Sequence, residues 1–326
     1  MNNILVYENT YYSLFLYMLY DKDWLKRDYL IFGNRISTEF ISRLKETVHC
    51  IDENTAYNGQ NKPISRSPIY NPLDFYKKKI EQKNLFNQYN KVIGNIESID
   101  NSLVKSYQIQ IEDGVGTRQH LINGPKKRNF ISALQKRLYL REATHFKSIN
   151  QFIIAEPIKV LDKLKNKVIH IDIKESWKVK TDDEKNIILK LFDVDSNELN
   201  IPDNSFDLLL TQPLNEDNNC TEQDKILGYS KLMKEYNLNE KEIIIKPHPK
   251  EKTDYKKHFP NAIVINKDFP VELVALFGIK FNHVITLFST AASIFSKNAN
   301  HIIYAKAPKY FNFKDRYQNT INRLHL

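Results

Sequence analysis

Phe206 to Pro213 reads FDLLLTQP, and this stretch decides how the chain folds. A continuous apolar run that halts at Gln212-Pro213 is the pattern of a strand buried on both faces, as the strands of parallel sheets are. Outward from it, runs of the same kind return at 242–246 (EIIIK), 262–265, 283–288 and 301–304. Helical patterns fill the intervals. Residues 222–236 place Ile226, Leu227, Leu232, Met233 and Tyr236 at roughly helical spacing. A short helix is expected over 271–277, stopped by Gly278, and another over 290–297. Strands alternating with helices signal parallel α/β units.

The first half repeats the pattern less cleanly. Ile4 to Tyr7 reads as a buried strand, 11–20 as a helix, and Tyr29 to Phe32 as a strand stopped by Gly33. The stretch 54–72 is polar and holds Pro63, Pro68 and Pro72, which predicts a long loop. Strands resume at 91–93 and 107–111, and Val168 to Ile171 closes this half. At 326 residues the chain is long enough for more than one core. The expected fold class is α/β: two Rossmann-like domains, 1–180 and 181–326, joined near 172–205. The cleft between them would be the working site, and the last segment from Asp315 would pack as a closing helix.

Composition removes several classes of function. Hydrophobic residues make up 41% and charged residues 27%, which fits neither a disordered chain nor a membrane-embedded one. The apolar stretch 11–20 is too short to span a bilayer and lacks the basic leader and cleavage site of a signal peptide. Cys50 and Cys220 have no metal or redox spacing, so reduced thiols in the cytoplasm are expected. The net charge of +9 invites nucleic acid, an anionic membrane face or anionic small substrates. Lys and Arg are interleaved with acids, and the densest cluster, Lys126-Lys127-Arg128, is short and has no nucleic-acid motif beside it. Nucleic acid is therefore not an expected partner.

Chemistry in open α/β sheets sits just beyond the carboxyl ends of strands. Four such places carry polar residues. Lys246-Pro247-His248-Pro249 follows the 243–245 run, and its prolines would present the imidazole from a stiff turn, as a general acid needs. Ser289-Thr290 stands between a strand and a helix, where free N–H groups and the helix dipole can bind phosphate. Glu272 follows Phe269-Pro270 near a helix start and can accept ribose hydroxyl protons. Glu112-Asp113-Gly114 follows the 107–111 strand. Gly114 and Gly116 permit an open loop there, leaving Asp113 exposed to take a proton from a sugar hydroxyl. Each also has an ordinary structural explanation: a strand-ending turn, a helix cap, a dipole partner and an Asp-Gly turn. Taken singly, none decides the function.

Their set and order do. Glu-Asp-Gly, then Lys-Pro-His-Pro, Phe-Pro-Val-Glu and Phe-Ser-Thr resembles the bacterial sialyltransferases of glycosyltransferase family 52, enzymes of lipooligosaccharide and capsule synthesis. Leu210 to Leu214 and the opening at Ile4 to Tyr20 look like family features as well. The resemblance implies a GT-B fold and an inverting transfer of sialic acid from CMP-sialic acid to a galactose-type hydroxyl, with the α-2,3 linkage favoured. It implies no metal and no cofactor. No Asp-x-Asp pair stands in a convincing position after a strand; Asp193-Val194-Asp195 falls in a polar stretch. By the resemblance Asp113 is the general base and His248 the acid that protonates or neutralises the departing phosphate. Ser289 and Thr290 bind that phosphate, Glu272 the ribose, and Lys246 and Pro247 lie beside the cytosine. Asn9, Thr10, Gly114 and Gln212 are further candidates for substrate contact. The positive charge suits anionic substrates and an enzyme resting on the inner membrane face, where lipid-linked acceptors are built. Two rivals stay open: a GT-B transferase for another activated sugar, polysialyl- or Kdo-type, and a non-catalytic glycan-binding module.

Overall fold

A computed structural model of the chain describes residues 3–32, 35–51, 80–81, 83–96, 105–123, 149–155, 157–194 and 206–313. Gly33, the loop expected at 54–72, the basic cluster at 126–128 and the segment from Asp315 lie outside these residues. The chain divides into two compact units, Met1–Leu191 and Phe192–Leu326.

The first unit is built on seven strands: β1 (Ile4–Glu8), β2 (Asp28–Ile31), β3 (His49–Cys50), β4 (Lys91–Gly94), β5 (Tyr107–Ile111), β6 (Gln151–Ile154) and β7 (Val168–His170). Their order is β3-β2-β1-β4-β5-β6-β7, and every pairing is parallel. β1 is central and buried along its whole length, with Leu5 between Asp28 and Val92 and Tyr7 between Leu30 and Gly94. Helix α1 (Tyr11–Tyr20) follows directly. Thr10 caps it, its hydroxyl accepting from the Ser13 N–H at 3.3 Å, and nearly all of its side chains are buried. A helix apolar all round belongs inside a core. Among the described residues the unit also holds helices α2 (Thr38–Thr47), α3 (Val115–Asn123), α4 (Ile173–Lys178) and α5 (Asp182–Leu191). Side chains tie α5 to it. Trp24 Nε1 and Lys180 Nζ both donate to Glu184 Oε1, at 3.3 and 3.0 Å, and Arg43 Nε donates to the Leu191 carbonyl at 2.8 Å.

The second unit has five parallel strands: β8 (Asp207–Leu210), β9 (Ile243–Lys246), β10 (Ile263–Val264), β11 (Phe281–Thr286) and β12 (Ala299–Tyr304). Their order is β10-β9-β8-β11-β12. The centre strand is β8, within the apolar run of Phe206 to Thr211. Leu208 lies between Ile244 and Val284, and Leu209 between Ile245 and Ile285, all six fully buried. Each such side chain contributes about 1.5–3 kcal/mol by leaving water. Asp207 pins the other end of the strand, accepting from the backbone N–H of His283 at 3.0 Å and from its Nδ1 at 2.8 Å. Helix α6 (Glu222–Glu235) starts on a reciprocal cap between Thr221 and Asp224. Two expected elements differ. The strand at 283–288 is β11, so Leu287 and Phe288 have left the ladder. The segment Thr290–Lys297 is a 3-10 helix, not an α-helix.

In both sheets the strand order reverses beside the first strand of the unit, between β1 and β4 and again between β8 and β11. Neighbouring connections leave toward opposite sides there, so the carboxyl ends of those strands border an open crevice where ligands settle. No helix among the described residues is long and apolar enough to cross a membrane.

Candidate functional site

The reversal in the first unit gathers the ends of β1, β4 and β5. β1 delivers Glu8, followed by Asn9 and Thr10; β4 delivers Gly94, followed by Asn95; β5 delivers Glu112 and Asp113. Asn95 is the hinge of the group. Its Nδ2 donates to Asn9 Oδ1 at 2.8 Å and to Asp113 Oδ2 at 3.2 Å, while Thr117 Oγ1 donates to Asp113 Oδ1 at 2.9 Å. One donor on each oxygen fixes the Asp113 carboxylate and leaves further lone pairs for a substrate hydroxyl. The expectation of an open loop around an exposed Asp113 is corrected here. Gly114 (φ 125°) is a bare junction, α3 begins at Val115 and takes in Gly116, and Asp113 is half-buried against its first turn.

The two neighbouring acids have different work. Glu112 is fully buried and saturated, accepting from Tyr12 Oη (2.6 Å), Arg118 Nε (2.7 Å) and Nη2 (3.0 Å), and the Ala155 N–H (3.0 Å). It locks α1, α3 and the end of β6 around Asp113. Glu8 is also fully buried, and the Ser13 hydroxyl donates to its Oε2. Its Oε1 finds no hydrogen-bond partner. Loss of hydration pushes the Glu8 pKa well above the ordinary carboxylate range, and the nearby Asp113 charge adds to this against the Ser13 hydrogen bond. Burial therefore favours the protonated form of Glu8, against the Ser13 hydroxyl and the backbone of Asn9 and Asn95. Beside it, Gly94 holds φ 136°, and a Cβ there would stand 2.2 Å from the Tyr7 carbonyl oxygen and 2.9 Å from Glu8 Oε1. Only glycine lets β4 approach β1 this closely.

In the second unit His248 rides on a turn closed by the Glu251 N–H donating to the His248 carbonyl at 2.9 Å. Pro249 takes the second position of that turn, where its fixed φ is favoured. Glu251 is the anchor. It is buried, and its Oε1 accepts from the His248 N–H (2.7 Å) and Thr211 Oγ1 (2.6 Å); its Oε2 accepts from Lys225 Nζ (2.8 Å) and Tyr255 Oη (2.5 Å). Lys225 is buried with it and reaches Glu216 at 3.2 Å, while Lys250 pairs with Asp217. The loop after β8 and the His248 turn are so stapled together. The imidazole itself stays exposed, and its Nδ1 accepts from the Lys250 N–H at 3.1 Å.

The remaining candidates of this unit are held as follows. Lys246 is turned inward: Nζ donates to the carbonyls of Pro247 (2.9 Å) and Lys267 (3.1 Å) and sits 4.9 Å from the Phe269 ring centre. Burial, opposed by Glu272, Glu251 and Asp268, brings its pKa down to about 7. Its ammonium is occupied within the fold. Glu272 opens the helix Glu272–Leu276 and is buried close enough to act on Lys246. Gln212 and Ser289 stand past the ends of β8 and β11, at the reversal of the second sheet. The Gln212 N–H donates to Tyr229 Oη at 2.8 Å. The Ser289 N–H donates to Thr286 Oγ1 at 3.1 Å, and its hydroxyl makes no cap. Ser289 is therefore a half-buried residue at the start of a 3-10 turn, where the start of an α-helix was expected. Among the described residues no group of three or more His, Cys, Asp or Glu side chains is placed to hold a metal ion.

Residues 110–310 match the model of glycosyltransferase family 52, a span that takes in Asp113, His248, Glu272, Ser289 and Thr290. The chain belongs to glycosyltransferase family 52. It is 39% identical, over 152 residues, to an uncharacterized protein of Haemophilus influenzae. That match takes in 47% of this chain and 49% of the relative, about half the relative's length. Among solved structures the family 52 chain resembles the α/β-galactoside α-2,3-sialyltransferase of the luminous marine bacterium Photobacterium phosphoreum. The TM-score is 0.53 at 13% identity, covering 94% of this chain and 91% of that one. At that identity the likeness is one of fold: two Rossmann-like units of the GT-B class.

Proposed function

We propose that this family 52 glycosyltransferase is an inverting, metal-independent sialyltransferase that carries sialic acid from CMP-sialic acid to a galactose-type hydroxyl, with an α-2,3 linkage. The observation that carries the reading is the family match over residues 110–310, a span that holds Asp113 just after β5 and His248 just after β9. The activity in the name of the Photobacterium protein supports the choice of sugar.

Asp113 is the general base. Asn95 and Thr117 hold its carboxylate still, so an acceptor hydroxyl can donate to a remaining lone pair and pass its proton as the new bond forms. Attack from the face opposite the leaving group inverts the anomeric centre. Negative charge then grows on the phosphate of CMP, where His248 and the Ser289 hydroxyl meet it, with Thr290 beside them and Glu272 on the ribose. No divalent ion is assigned to that charge. The net charge of +9 favours anionic donors and acceptors, including acceptors carried on lipid at the inner membrane face.

The test is CMP release from CMP-sialic acid with lactose, in EDTA, for wild type, Asp113→Ala and His248→Ala. Release that survives the chelator and drops by about 10²–10⁴-fold in each variant is expected. No release with any galactoside, together with calorimetric binding of UDP rather than CMP, would overturn the donor.

A further inference from the structure

Resting on that reading, we infer that His248 works as a neutral imidazole: it offers Nε2–H to the departing phosphate oxygen as a fixed hydrogen-bond donor and gives up no proton. The carrying observation is the backbone N–H of Lys250 aimed at His248 Nδ1, 3.1 Å away. A ring nitrogen that accepts from an N–H must hold a lone pair, so the one proton of the neutral ring is on Nε2. Protonating Nδ1 would set two N–H groups against each other.

The turn is constructed to keep that contact. The prolines on both sides of His248 restrict its backbone, the Glu251 N–H closes the turn on the His248 carbonyl, and Glu251 Oε1 holds the His248 N–H. All the acceptor sites of Glu251 that face inward are occupied, by Thr211, Lys225, Tyr255 and the His248 backbone. Glu251 thus holds the chain under the ring and is not the carboxylate partner that would stabilise an imidazolium on Nδ1, as in a Ser-His-Asp arrangement.

The charged groups facing His248 are Glu251 and Lys250 from its own turn, Lys246 from the end of β9, and Asp217 from the loop after β8. Although the ring keeps an exposed edge, the chain packed behind it costs the charged form hydration, and this is the largest effect on its pKa. Lys246 and Lys250 act in the same direction, and Glu251 and Asp217 oppose them. The balance lies below the ordinary histidine value, so the ring is neutral at physiological pH.

The reaction balances without a proton from His248. The bond from the anomeric carbon to the phosphate oxygen breaks, and its electron pair stays on the phosphate. The acceptor oxygen bonds to that carbon, and the acceptor proton goes to Asp113. CMP departs as a dianion, an acceptable leaving state because the second pKa of a phosphate monoester is about 6. What the phosphate needs is a donor aimed where charge develops, and a preset Nε2–H supplies it without reorganisation.

Two measurements test this. Histidine-selective nitrogen-15 NMR of the whole protein, with the His248 signals assigned by their loss in His248→Gln, should show a bare Nδ1 and a protonated Nε2 at neutral pH. In CMP release, His248→Gln keeps an N–H near the Nε2 position and should retain most of what His248→Ala loses, about 10²–10³-fold. The kcat/KM of wild type should rise or hold, and not fall, as pH rises through the titration of the ring. An imidazolium at the pH of greatest activity, an Nδ1–H tautomer, activity falling as the ring deprotonates, or His248→Gln as low as His248→Ala would each overturn the inference. No CMP release from wild type would instead sink the donor reading and the catalytic half of this inference, while the nitrogen shifts would still decide the tautomer.

Discussion

Glu251→Ala is expected to destabilise the second unit by about 3–5 kcal/mol, the usual cost of breaking a fully buried ion pair from one side. The magnitude comes from what the substitution leaves behind. Lys225 Nζ stays wholly buried with Glu216 as its remaining carboxylate, and Thr211 Oγ1, Tyr255 Oη and the His248 N–H lose an acceptor at once. Each kcal/mol moves the midpoint of a unit this large by roughly 2–4 °C, so thermal unfolding should begin some 6–20 °C lower. Circular dichroism with temperature reads this directly. A double variant, Glu251→Leu with Lys225→Met, removes the stranded ammonium and should regain part of the lost stability. Its CMP release should stay low, because the backbone of His248 has still lost its anchor. An unchanged midpoint in Glu251→Ala would refute the buried pair as a support. Full activity in the double variant would refute Glu251 as the residue that positions His248.

Gly94→Ala forces a side chain into φ 136° with its Cβ 2.2 Å from the Tyr7 carbonyl oxygen; a loss of roughly 1–3 kcal/mol or more in urea unfolding is expected, and wild-type stability would refute the close approach of β4 to β1. Glu8→Gln should help the protein most toward neutral pH. The folded chain keeps the Glu8 proton above the pH, about 4.3, at which the unfolded chain releases it, so the wild type loses stability as pH rises from there and the glutamine variant does not. Urea midpoints measured at acid and at neutral pH should diverge in the variant's favour, and parallel curves would contradict a raised Glu8 pKa.

The central strands were legible because burial on both faces leaves an unbroken apolar run. β1, β8 and β9 could be read for that reason. β6, Gln151 to Ile154, went unread: only Phe152, Ile153 and Ile154 are apolar and buried there, with polar residues before them and Ala-Glu-Pro after. Helix α2 does carry a signal, a Ser37 cap with Phe40 and Leu44 one turn apart on the buried side, yet its polar remainder hides it. Asp-Gly at 113–114 misled because the pair usually marks a turn. Here the glycine only joins a strand to a helix, and the helix is what shelters Asp113. Asp113 and His248 were visible as motif members, but their supports were not. Glu251 stands three positions after His248, the spacing of a side chain that returns to a backbone N–H, so it could have been found. Its partners Lys225 and Thr211 lie 26 and 40 residues away in the chain, and only the fold brings them near. Asn95 escaped for the same reason, since both side chains it bridges come from other strands.

The strand order has a consequence for the making of the protein. Leu209 and Leu210 gain neighbours on one side when β9 is translated, but their other side waits for Ile285 and Thr286. Leu210 and Thr286 are 76 positions apart, roughly 4–15 s of synthesis at ordinary elongation rates. Through that interval a bare apolar strand is open to pairing with a second nascent chain, and parallel sheets give it no local hairpin to close on. Abundant chaperones during synthesis should therefore raise soluble yield more than any change to the finished surface.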